Sequence, residues 1–387
     1  MSRSIYVQAQ ADHIESLSKA TPITAIEELV WNALDADAHQ VLIDVVTNPL
    51  GGVEAIRISD DGTGIDVLRA DSTFGSLGGS WKRADNAATG AGRRLHGRRG
   101  CGRFKAFALG STVEWRTTVR IGNELLSYVI RGNASEPGVF ELDASPSPGP
   151  GTGTEVYVSG ARANCDMFLD AAEIVQSLAA KFALYLKSYP DVRIFFCGLP
   201  VTPLVMQRSV TDIRLNVSEG AYARLEIIEW RRKFAGTGKI VLSGNDGFQL
   251  HEVPAGVRSG GTSFTAYLVS PRFPALNAEN SLIMDDLNPE VRMYLDAAKA
   301  ALREHFSQKG RDRDAAQIES WREDGSYPFE DGEESAERGR FDKLAVELAG
   351  RVSALADATP EDRSVLFKLL RSAMRSVPKG GLKELLK

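Results

Sequence analysis

The spacing of hydrophobic positions in the first sixty residues changes from helical to strand-like. Apolar residues recur at helical spacing over residues 24–36 (TAIEELVWNALDA), which predicts a helix capped by Thr21 or Thr24. Residues 41–46 (VLIDVV) and 54–60 (EAIRISD) have the pattern of strands. The intervening NPLGG is rich in turn formers, so the two strands are predicted to form a hairpin.

The chain after the hairpin alternates between weakly patterned and strand-like stretches. Residues 71–103 are rich in Gly, Ser and Arg, which predicts a long mobile segment. FKAFALG, TVEWRTTV and ELLSYVI then predict a short helix and two strands, and a turn-rich SPSPGPGTG leads into a further strand, TEVYVSG. A helix of roughly twenty residues ending at Ser188 and the strand DVRIFFCG close a first domain.

The remaining chain predicts two further regions. The strand-like ARLEIIEW, GKIVLSG and TSFTAYLV, followed by the helical run PEVRMYLDAAKAALREHF, indicate a second, smaller α/β unit. Residues 307–340 are charged and contain turn formers, which is typical of an exposed connector, and two helices follow. We therefore predict an α/β fold, an α+β sandwich, with domains at residues 1–198, 199–305 and 306–387. The last region would bury little apolar surface alone.

Composition narrows the class of protein. The chain has 387 residues, of which 43% are hydrophobic and 25% charged, as in a soluble globular protein of two or three domains. It contains no run of ~20 apolar residues and no leader-like block at its start, so we expect a cytoplasmic protein with no membrane partner. Its three cysteines and five histidines are not spaced for a disulfide framework or a zinc site.

Three polar residues of the predicted first helix lie on one narrow stripe. At about 100° per residue, Glu28, Asn32 and Asp35 fall within about 60° of each other, opposite the apolar side, whereas Glu27 is turned away. An amide oxygen can hold a divalent ion while a carboxylate one turn away orients a water molecule. The same stripe also fits the solvated face of a surface helix.

A second candidate feature is the turn ISDDGTGI at the end of the second predicted strand. Asp60 leaves the sheet there, and Gly62 and Gly64 permit a tight turn with close approach of the backbone to a ligand. A carboxylate at such a place can accept a hydrogen bond from the exocyclic amine of adenine. DxGxG turns also occur in ordinary strand-to-loop connections.

A third feature is the glycine-rich GRRGCGRFKAFALG. Gly97, Gly100 and Gly102 precede an apolar helix, and backbone amides in such a turn suit a polyphosphate. The surrounding basic residues are Lys82, Arg83, Arg93, Arg94, Arg98, Arg99, Arg103 and Lys105, with Asp85 as the one acid. This cluster fits a nucleotide phosphate, a nucleic-acid backbone or a solvated loop. A fourth feature is GTGTEVYV, which puts Gly153 and Thr154 at the mouth of a strand, where a hydroxyl can support Asp60 or a ligand.

The order of these four features resembles the GHKL ATPase superfamily, which includes gyrase B, the large cytosolic heat-shock chaperone, histidine kinases, MutL and MORC proteins. The matching motifs are ExxxNAxDA (28–36), DxGxG (60–64), GxxGxG (97–102) and GT (153–154). The resemblance implies the Bergerat fold, an α/β sandwich that binds ATP and Mg²⁺ between its helices and a flexible lid. It also implies a transducer-like domain after the ATPase domain, at residues 199–305.

The resemblance assigns a role to each matched residue. Glu28 would be the general base for the attacking water, Asn32 the magnesium ligand, and Asp35 a further member of the cofactor site. Asp60 would bind the adenine amine, with Thr154 near the base. The glycines assigned to the nucleotide are Gly62 and Gly64 around the base and Gly97, Gly100 and Gly102 around the phosphates. Since histidine kinases carry an amide where Glu28 stands, the carboxylate favours hydrolysis over phosphate transfer to a histidine.

Two further assignments concern residues that would close over the phosphates. The lid would lie over residues 73–99, with Ser80 and Lys82 offered to phosphate. Its density of arginine departs from the chaperone and gyrase patterns. Lys239 and Arg258 are the candidates for the transducer residue that reaches the γ-phosphate.

The function implied is an ATP-gated switch: ATP closes the lid, two chains associate, and slow hydrolysis reopens them. GRRLHGRRGCGRFKAF and WREDGSYPFE are most similar to bacterial MORC-like, defence-associated proteins, in which helical sequence follows the ATPase. That similarity would make this chain an N-terminal portion of a longer protein. The basic lid suggests DNA or another nucleic acid as partner. A chaperone-like protein clamp and a regulatory subunit that scarcely hydrolyses ATP are the alternatives.

Overall fold

The computed structural model describes residues 18–66, 74, 89–93, 95–96, 102–144, 151–218, 220–234, 236–284, 288–330 and 336–376. Two sheets with helices against them confirm the predicted α/β class. The chain divides into two compact units: Met1–Gly256 with Thr262–Ala298, and Val257–Gly261 with Lys299–Lys387. The predicted domain boundary after residue 198 lies within the first unit.

The first helix and hairpin have the predicted form. Helix α1 (Pro22–Asp35) begins after Thr21, whose side-chain oxygen accepts a hydrogen bond from the Thr24 amide at 3.3 Å. Strands β1 (Gln40–Thr47) and β2 (Val53–Asp60) pair antiparallel. The apolar side of α1 is buried, as expected of an amphipathic helix on a sheet.

The hairpin belongs to an eight-stranded sheet. Its other elements are α2 (Gly102–Lys105), a 3₁₀ turn (Ala106–Ala108), β3 (Gly110–Ile121), β4 (Glu124–Asn133), β5 (Phe140–Ala144), β6 (Gly153–Ala161), a 3₁₀ turn (Ala163–Leu169), α3 (Ala171–Ser188), β7 (Arg193–Phe196) and β8 (Leu199–Pro200). The strand order is β5-β4-β3-β6-β2-β1-β7-β8, and β1 with β7 is the parallel pair. One face of the sheet packs with α1 and α3 in the first hydrophobic core.

A second sheet of five strands follows in the same unit. Its elements are α4 (Pro203–Met206), β9 (Gln207–Ser218), β10 (Ala221–Trp230), β11 (Lys239–Ser243), β12 (Gln249–Pro254), β13 (Phe264–Val269), α5 (Phe273–Ala278) and a 3₁₀ turn (Ser281–Met284). The strand order is β12-β11-β13-β10-β9, with β11 and β13 parallel. The sequence patterns predicted β10, β11 and β13 but neither β9 nor β12.

Helix α3 is packed between the two sheets. Leu178 and Phe182 lie in the core of the first sheet. Ala183 and Leu184 lie in a separate core with Tyr267 and other residues of the second sheet. One helix therefore buries two of its faces, which joins the first two predicted domains into one packed unit.

The second unit contains the C-terminal helices. They are α6 (Pro289–Glu323), which begins in the first unit, α7 (Ala336–Arg351), α8 (Ser353–Ala356) and α9 (Pro360–Ser376). Trp321, Phe341 and Phe367 form its aromatic core, with the Trp321 and Phe367 ring centroids 4.8 Å apart. Among the described residues, no helix is both long and apolar enough to span a bilayer.

The connector predicted from residue 307 is helical as far as Glu323. Its charges pair along the helix surface, as in the Arg322–Glu319 contact of 2.8 Å, so they stabilise an exposed helix instead of interrupting it. The turn former Gly310 is accommodated within the helix. The charge density predicted an exposed connector, and over residues 307–323 this connector is a helix.

Four charged groups bind α1 and α3 to the second sheet. Lys181 of α3 lies 3.5 Å from Glu27 of α1 and 2.5 Å from Glu252 of β12. Lys239 of β11 contacts the other oxygen of Glu252 at 2.7 Å. Burial alone would raise the pKa of Glu252, but the two lysines lower it to about 2. At Glu27 burial outweighs the attraction of Lys181, so the pKa of Glu27 is raised.

A Glu252→Gln variant is expected to lower the free energy of unfolding near neutral pH by about 2 kcal/mol. The change leaves Lys181 and Lys239 close together without the carboxylate they share. Glu252 remains 31% exposed, which limits the loss. The natural chain should lose a similar contribution as the pH falls from about 4.5 to about 2, because a carboxylate with a lowered native pKa must then be protonated.

Urea denaturation measures this loss, with Glu290→Gln as the matched control. The Glu290 contact with Arg272 is exposed on both sides, so its removal should cost less than about 1 kcal/mol. Equal losses in the two variants would contradict a stabilising role for the four-residue network.

Candidate functional site

The N-terminal half of α1 carries Glu28 into contact with the glycine-rich segment. Gly102 lies so close that a Cβ atom there would collide with the Glu28 carboxylate. Lys105 Nζ lies 2.8 Å from Glu28 Oε2, and the Glu28 side chain is 13% exposed. A side chain in place of Gly102 would therefore displace the Glu28 carboxylate.

The two other residues of the stripe differ in their surroundings. Asn32 is exposed, so its amide oxygen is accessible to a ligand. The Asp35 carboxylate accepts a hydrogen bond from the His96 amide at 2.6 Å. Asp35 therefore holds the backbone directly before Gly97.

The described residues before the glycine-rich motif are fixed to the end of α1. Arg93 is 5% exposed, and its Nη1 donates to the Ala38 carbonyl at 2.6 Å. The Asp37 carboxylate accepts from the Ala91 amide at 3.0 Å. The His96 ring stacks on Trp31 with centroids 4.5 Å apart. One member of the predicted basic cluster is thus a buried structural residue.

At the other end of α1, Asp60 is held by two backbone amides. Its Oδ1 accepts hydrogen bonds from the Gly62 amide at 2.9 Å and the Thr154 amide at 3.2 Å. Burial raises the pKa of Asp60 to about 6, although these two bonds favour the charged form. The Asp60 carboxylate therefore has a raised pKa and an orientation that two hydrogen bonds fix.

The glycines after Asp60 make room for two close approaches. A Cβ atom at Gly62 would lie 2.6 Å from the Ala36 carbonyl oxygen, at the end of α1. Gly64 has a φ of +76° and packs against the backbone of Thr118. Residues 28 and 36 are separated by about 12 Å along a helix, so α1 links the contact between Glu28 and Gly102 to the Asp60 turn.

Several residues that the sequence assigned to the nucleotide site are not seen beside Glu28 or Asp60. Ser80, Lys82, Gly97 and Gly100 lie outside the described residues, so their roles remain predictions. Lys239 contacts Glu252, as described above. Arg258 lies in the second unit.

Two residues at the site were not predicted. Lys105 was counted only as part of a basic cluster, since the sequence does not show that it pairs with Glu28. Thr117 is 2% exposed, and its hydroxyl contacts Thr154 Oγ1 at 3.0 Å. The sequence could have indicated Thr117. It is a polar residue at a position that alternation places on the buried face of β3, together with Val113, Trp115 and Val119.

The donor set fits a magnesium ion that is bound mainly through a nucleotide. Among the described residues, no group of three His, Cys, Asp or Glu side chains is placed to hold a metal ion. Mg²⁺ commonly takes one or two protein oxygens and completes its shell with water and phosphate. The exposed amide of Asn32, one turn from Glu28, meets that requirement.

Comparison with known proteins covers this region. Residues 20–136 match the family model described as Histidine kinase-, DNA gyrase B-, and HSP90-like ATPase. This match supports the GHKL ATPase superfamily for the region. The matched region contains α1, the Asp60 turn and Gly102, whereas Thr154 lies beyond it. The family that the model describes consists of ATPases.

A second comparison concerns a much shorter stretch. Over 53 residues the chain is 40% identical to the DNA mismatch repair protein MutL of Shouchella clausii (strain KSM-K16). The alignment covers 14% of this chain and 8% of MutL. It adds support for the GHKL superfamily.

Proposed function

We propose that this protein binds Mg·ATP along α1 and hydrolyses it as a conformational switch. The observation that carries the proposal is the placement of two chemically suited groups about two turns apart along one helix. Asp60 and Thr154 lie together at the C-terminal end, and Glu28 lies against Gly102 near the middle of the helix. The match to the GHKL family supports the same assignment.

At the base end, Asp60 would accept a hydrogen bond from the adenine amine. Its Oδ1 is already occupied by two amides, so Oδ2 would serve the ligand. Gly62 and Gly64 would allow the base to approach the backbone. Asp35 would act indirectly, by holding the chain before Gly97.

At the phosphate end, Glu28 would orient and deprotonate the attacking water. Asn32 would hold Mg²⁺, which neutralises phosphate charge when bound. Gly97, Gly100 and Gly102 would donate backbone amides to the phosphates, with Ser80 and Lys82 from the lid. The contact between Lys105 and Glu28 favours slow turnover, because the pair must rearrange before Glu28 can accept a proton.

Calorimetric titration of the full chain with Mg·ATP tests the proposal. We expect saturable binding that weakens when EDTA removes magnesium, and release of phosphate from bound ATP in a single turnover. Asn32→Ala should abolish the difference between the titrations with and without magnesium. A flat trace with Mg·ATP would refute the proposal. Binding without phosphate release would favour the alternative of a regulatory, non-hydrolysing subunit.

For the action of the switch, we propose ATP-dependent association of two chains and action on DNA, as in a defence or repair complex of the MORC-like branch. The short similarity to a DNA mismatch repair protein and the basic residues of the lid support this choice over a chaperone-like clamp. Binding to duplex DNA should weaken steeply with salt. Light scattering should show dimers with a non-hydrolysable ATP analogue. Salt-independent hydrolysis that DNA does not stimulate would count against this role.

A further inference from the structure

Strand β9 is the outermost strand of the five-stranded sheet and, within the described residues, pairs on one side only. It runs for 12 residues, and its neighbour in the sheet is β10. The register with β10 shifts near each end of β9, and residues 209–216 between the shifts form a regular ladder. A long, regular edge strand leaves a row of backbone N–H and C=O groups available to another strand. The outer edge of β9 is thus suited to pair with a further strand.

The residues of β9 do little to block such pairing. The strand contains no proline and no lysine, and no bulge interrupts its middle. Every second side chain, from residue 208 to residue 218, is exposed. The charged residues among them carry both signs, namely Arg208, Asp212 and Arg214. A mixed set of charges repels a neighbouring strand only in those registers that oppose like charges.

One of these charges, Arg214, lies beside a like charge. It is paired directly across the sheet with Arg224 of β10. Arg224 contacts the carboxylates of Asp212 at 3.2 Å and Glu226 at 2.8 Å, so its charge is balanced. Arg214 lies 5.0 Å from the centroid of the Tyr222 ring and makes no ion pair within the described part of the chain. Like charges directly opposite each other destabilise a sheet, so a carboxylate arriving at the outer edge would stabilise Arg214.

The sequence of β9 supplies that carboxylate when two copies pair. Antiparallel pairing of β9 with itself about a two-fold axis keeps every residue on its own face, so one residue must lie opposite itself. With Ile213 at this centre, Asp212 of each copy faces Arg214 of the other, and the ladder spans residues 208–218. The Cβ atoms of such directly opposed residues are about 5 Å apart, within reach of an ion pair. Centring the pair on Thr211, Asp212 or Arg214 would oppose like charges.

The other face of the strand fits the same arrangement. Ile213 is only partly buried, and it lies on the face where its partner Leu225 of β10 is fully buried. In the pair of copies, Ile213 would lie against its counterpart, and Leu215 would lie opposite Thr211. Burial of these side chains would continue the apolar layer across the contact.

We propose that β9 is the contact surface for a second copy of this chain, paired antiparallel about Ile213. The two five-stranded sheets then form one continuous sheet. This contact lies on the second sheet and requires no nucleotide, so it is separate from the ATP-dependent association proposed above. A second copy is favoured over an unrelated strand because the charge pattern of β9 is complementary to itself.

Sedimentation of the full chain, without nucleotide and with EDTA, tests this proposal. We expect reversible dimers whose fraction rises with protein concentration. Arg214→Asp should weaken the dimer at least about tenfold, because carboxylates would then face each other at two places. Within one copy the same change puts a carboxylate opposite Arg224, so the variant should fold normally. Adding Asp212→Arg exchanges the two charges and should restore the dimer.

Two further variants test the register. Arg208→Asp is the matched control for Arg214→Asp, since Arg208 faces Ser218 across the two-fold axis and its change should leave the dimer nearly unaffected. The same control would weaken a dimer centred on Val210, in which Arg208 faces Asp212. Under oxidation, Ile213→Cys should form a disulfide between copies, because the Cα atoms of directly opposed residues lie about 5 Å apart. Val210→Cys should not, although Val210 is 43% exposed.

Several results would overturn the inference. A chain that stays monomeric at every concentration would exclude a second copy and leave the edge to a strand of another protein. A dimer that Arg214→Asp does not weaken, or that the charge exchange does not restore, would have its contact elsewhere. Cross-linking of Val210→Cys instead of Ile213→Cys would contradict the register. Because these measurements use no nucleotide, their failure is distinct from failure of the proposed function.

Discussion

An Asp60→Asn variant is expected to be more stable than the natural chain without nucleotide and to lose its affinity for ATP. Both effects follow from the environment of one carboxylate. Its pKa is raised by burial from 3.8 to about 6. The folded protein therefore holds a proton at a pH where the unfolded chain has lost it.

The sign of the stability effect follows from this difference. A group with a raised native pKa contributes stability below pH 3.8, and this contribution is lost as the pH rises through about 6. Keeping Asp60 ionised near neutral pH thus costs about 3 kcal/mol. Asparagine removes the charge, while its oxygen can still accept from Gly62 and Thr154.

The binding effect has the opposite sign. The asparagine amide would direct hydrogens at the adenine amine, so two donors would face each other. Thermal unfolding near neutral pH and titration with Mg·ATP measure the two effects in one preparation. Asp61→Asn is the control, since Asp61 accepts from the His39 and Gln40 amides and should leave both quantities nearly unchanged. Retained ATP affinity in Asp60→Asn would contradict the assignment.

Glu28→Gln is expected to reduce the rate of ATP hydrolysis at least about 100-fold, the typical contribution of a positioned general base. Affinity for ATP should stay close to that of the natural chain. Glutamine retains the shape that packs against Gly102 and an oxygen for Lys105, so a folding defect is not expected. Single-turnover phosphate release measures the chemical step. Glu28→Ala should show the same loss.

Glu27→Gln is the matched control for this prediction. Glu27 is adjacent in sequence but contacts Lys181 instead of the glycine-rich segment. Because burial raises the pKa of Glu27, its neutral replacement should be tolerated. Undiminished hydrolysis in Glu28→Gln, or an equal loss in both variants, would refute the role of Glu28 as base.

The sequence was most informative where a local pattern determines structure. The helical spacing after Thr21 and the alternation in β1 and β2 predicted α1 and the hairpin, because both patterns reflect burial on one side. The charges of residues 307–323 predicted exposure but not helix, because exposure is compatible with either a loop or a helix. Strand β9 was missed because the positions on its less exposed face are only partly buried and several of them are polar, so the hydrophobic alternation is weak.

At the candidate site, the sequence indicated residue types but not their partners. The order of the motifs predicted that Glu28 would lie near the glycine-rich segment. The contact of Glu28 with Lys105 depends on how α2 packs, which the sequence does not show. Asp35 illustrates the same limit. Its position on the stripe is a property of the helix, but its hydrogen bond to His96 depends on the path of a segment far along the chain.

Helix α3 has a consequence for how the first unit melts and for where it can be cut. Since α3 contributes side chains to both hydrophobic cores, separating the two sheets would expose apolar side chains of each core to water. Calorimetry should therefore record a single cooperative unfolding transition for the two sheets. A fragment that stops after Gly198 would leave Ala183 and Leu184 uncovered and should self-associate.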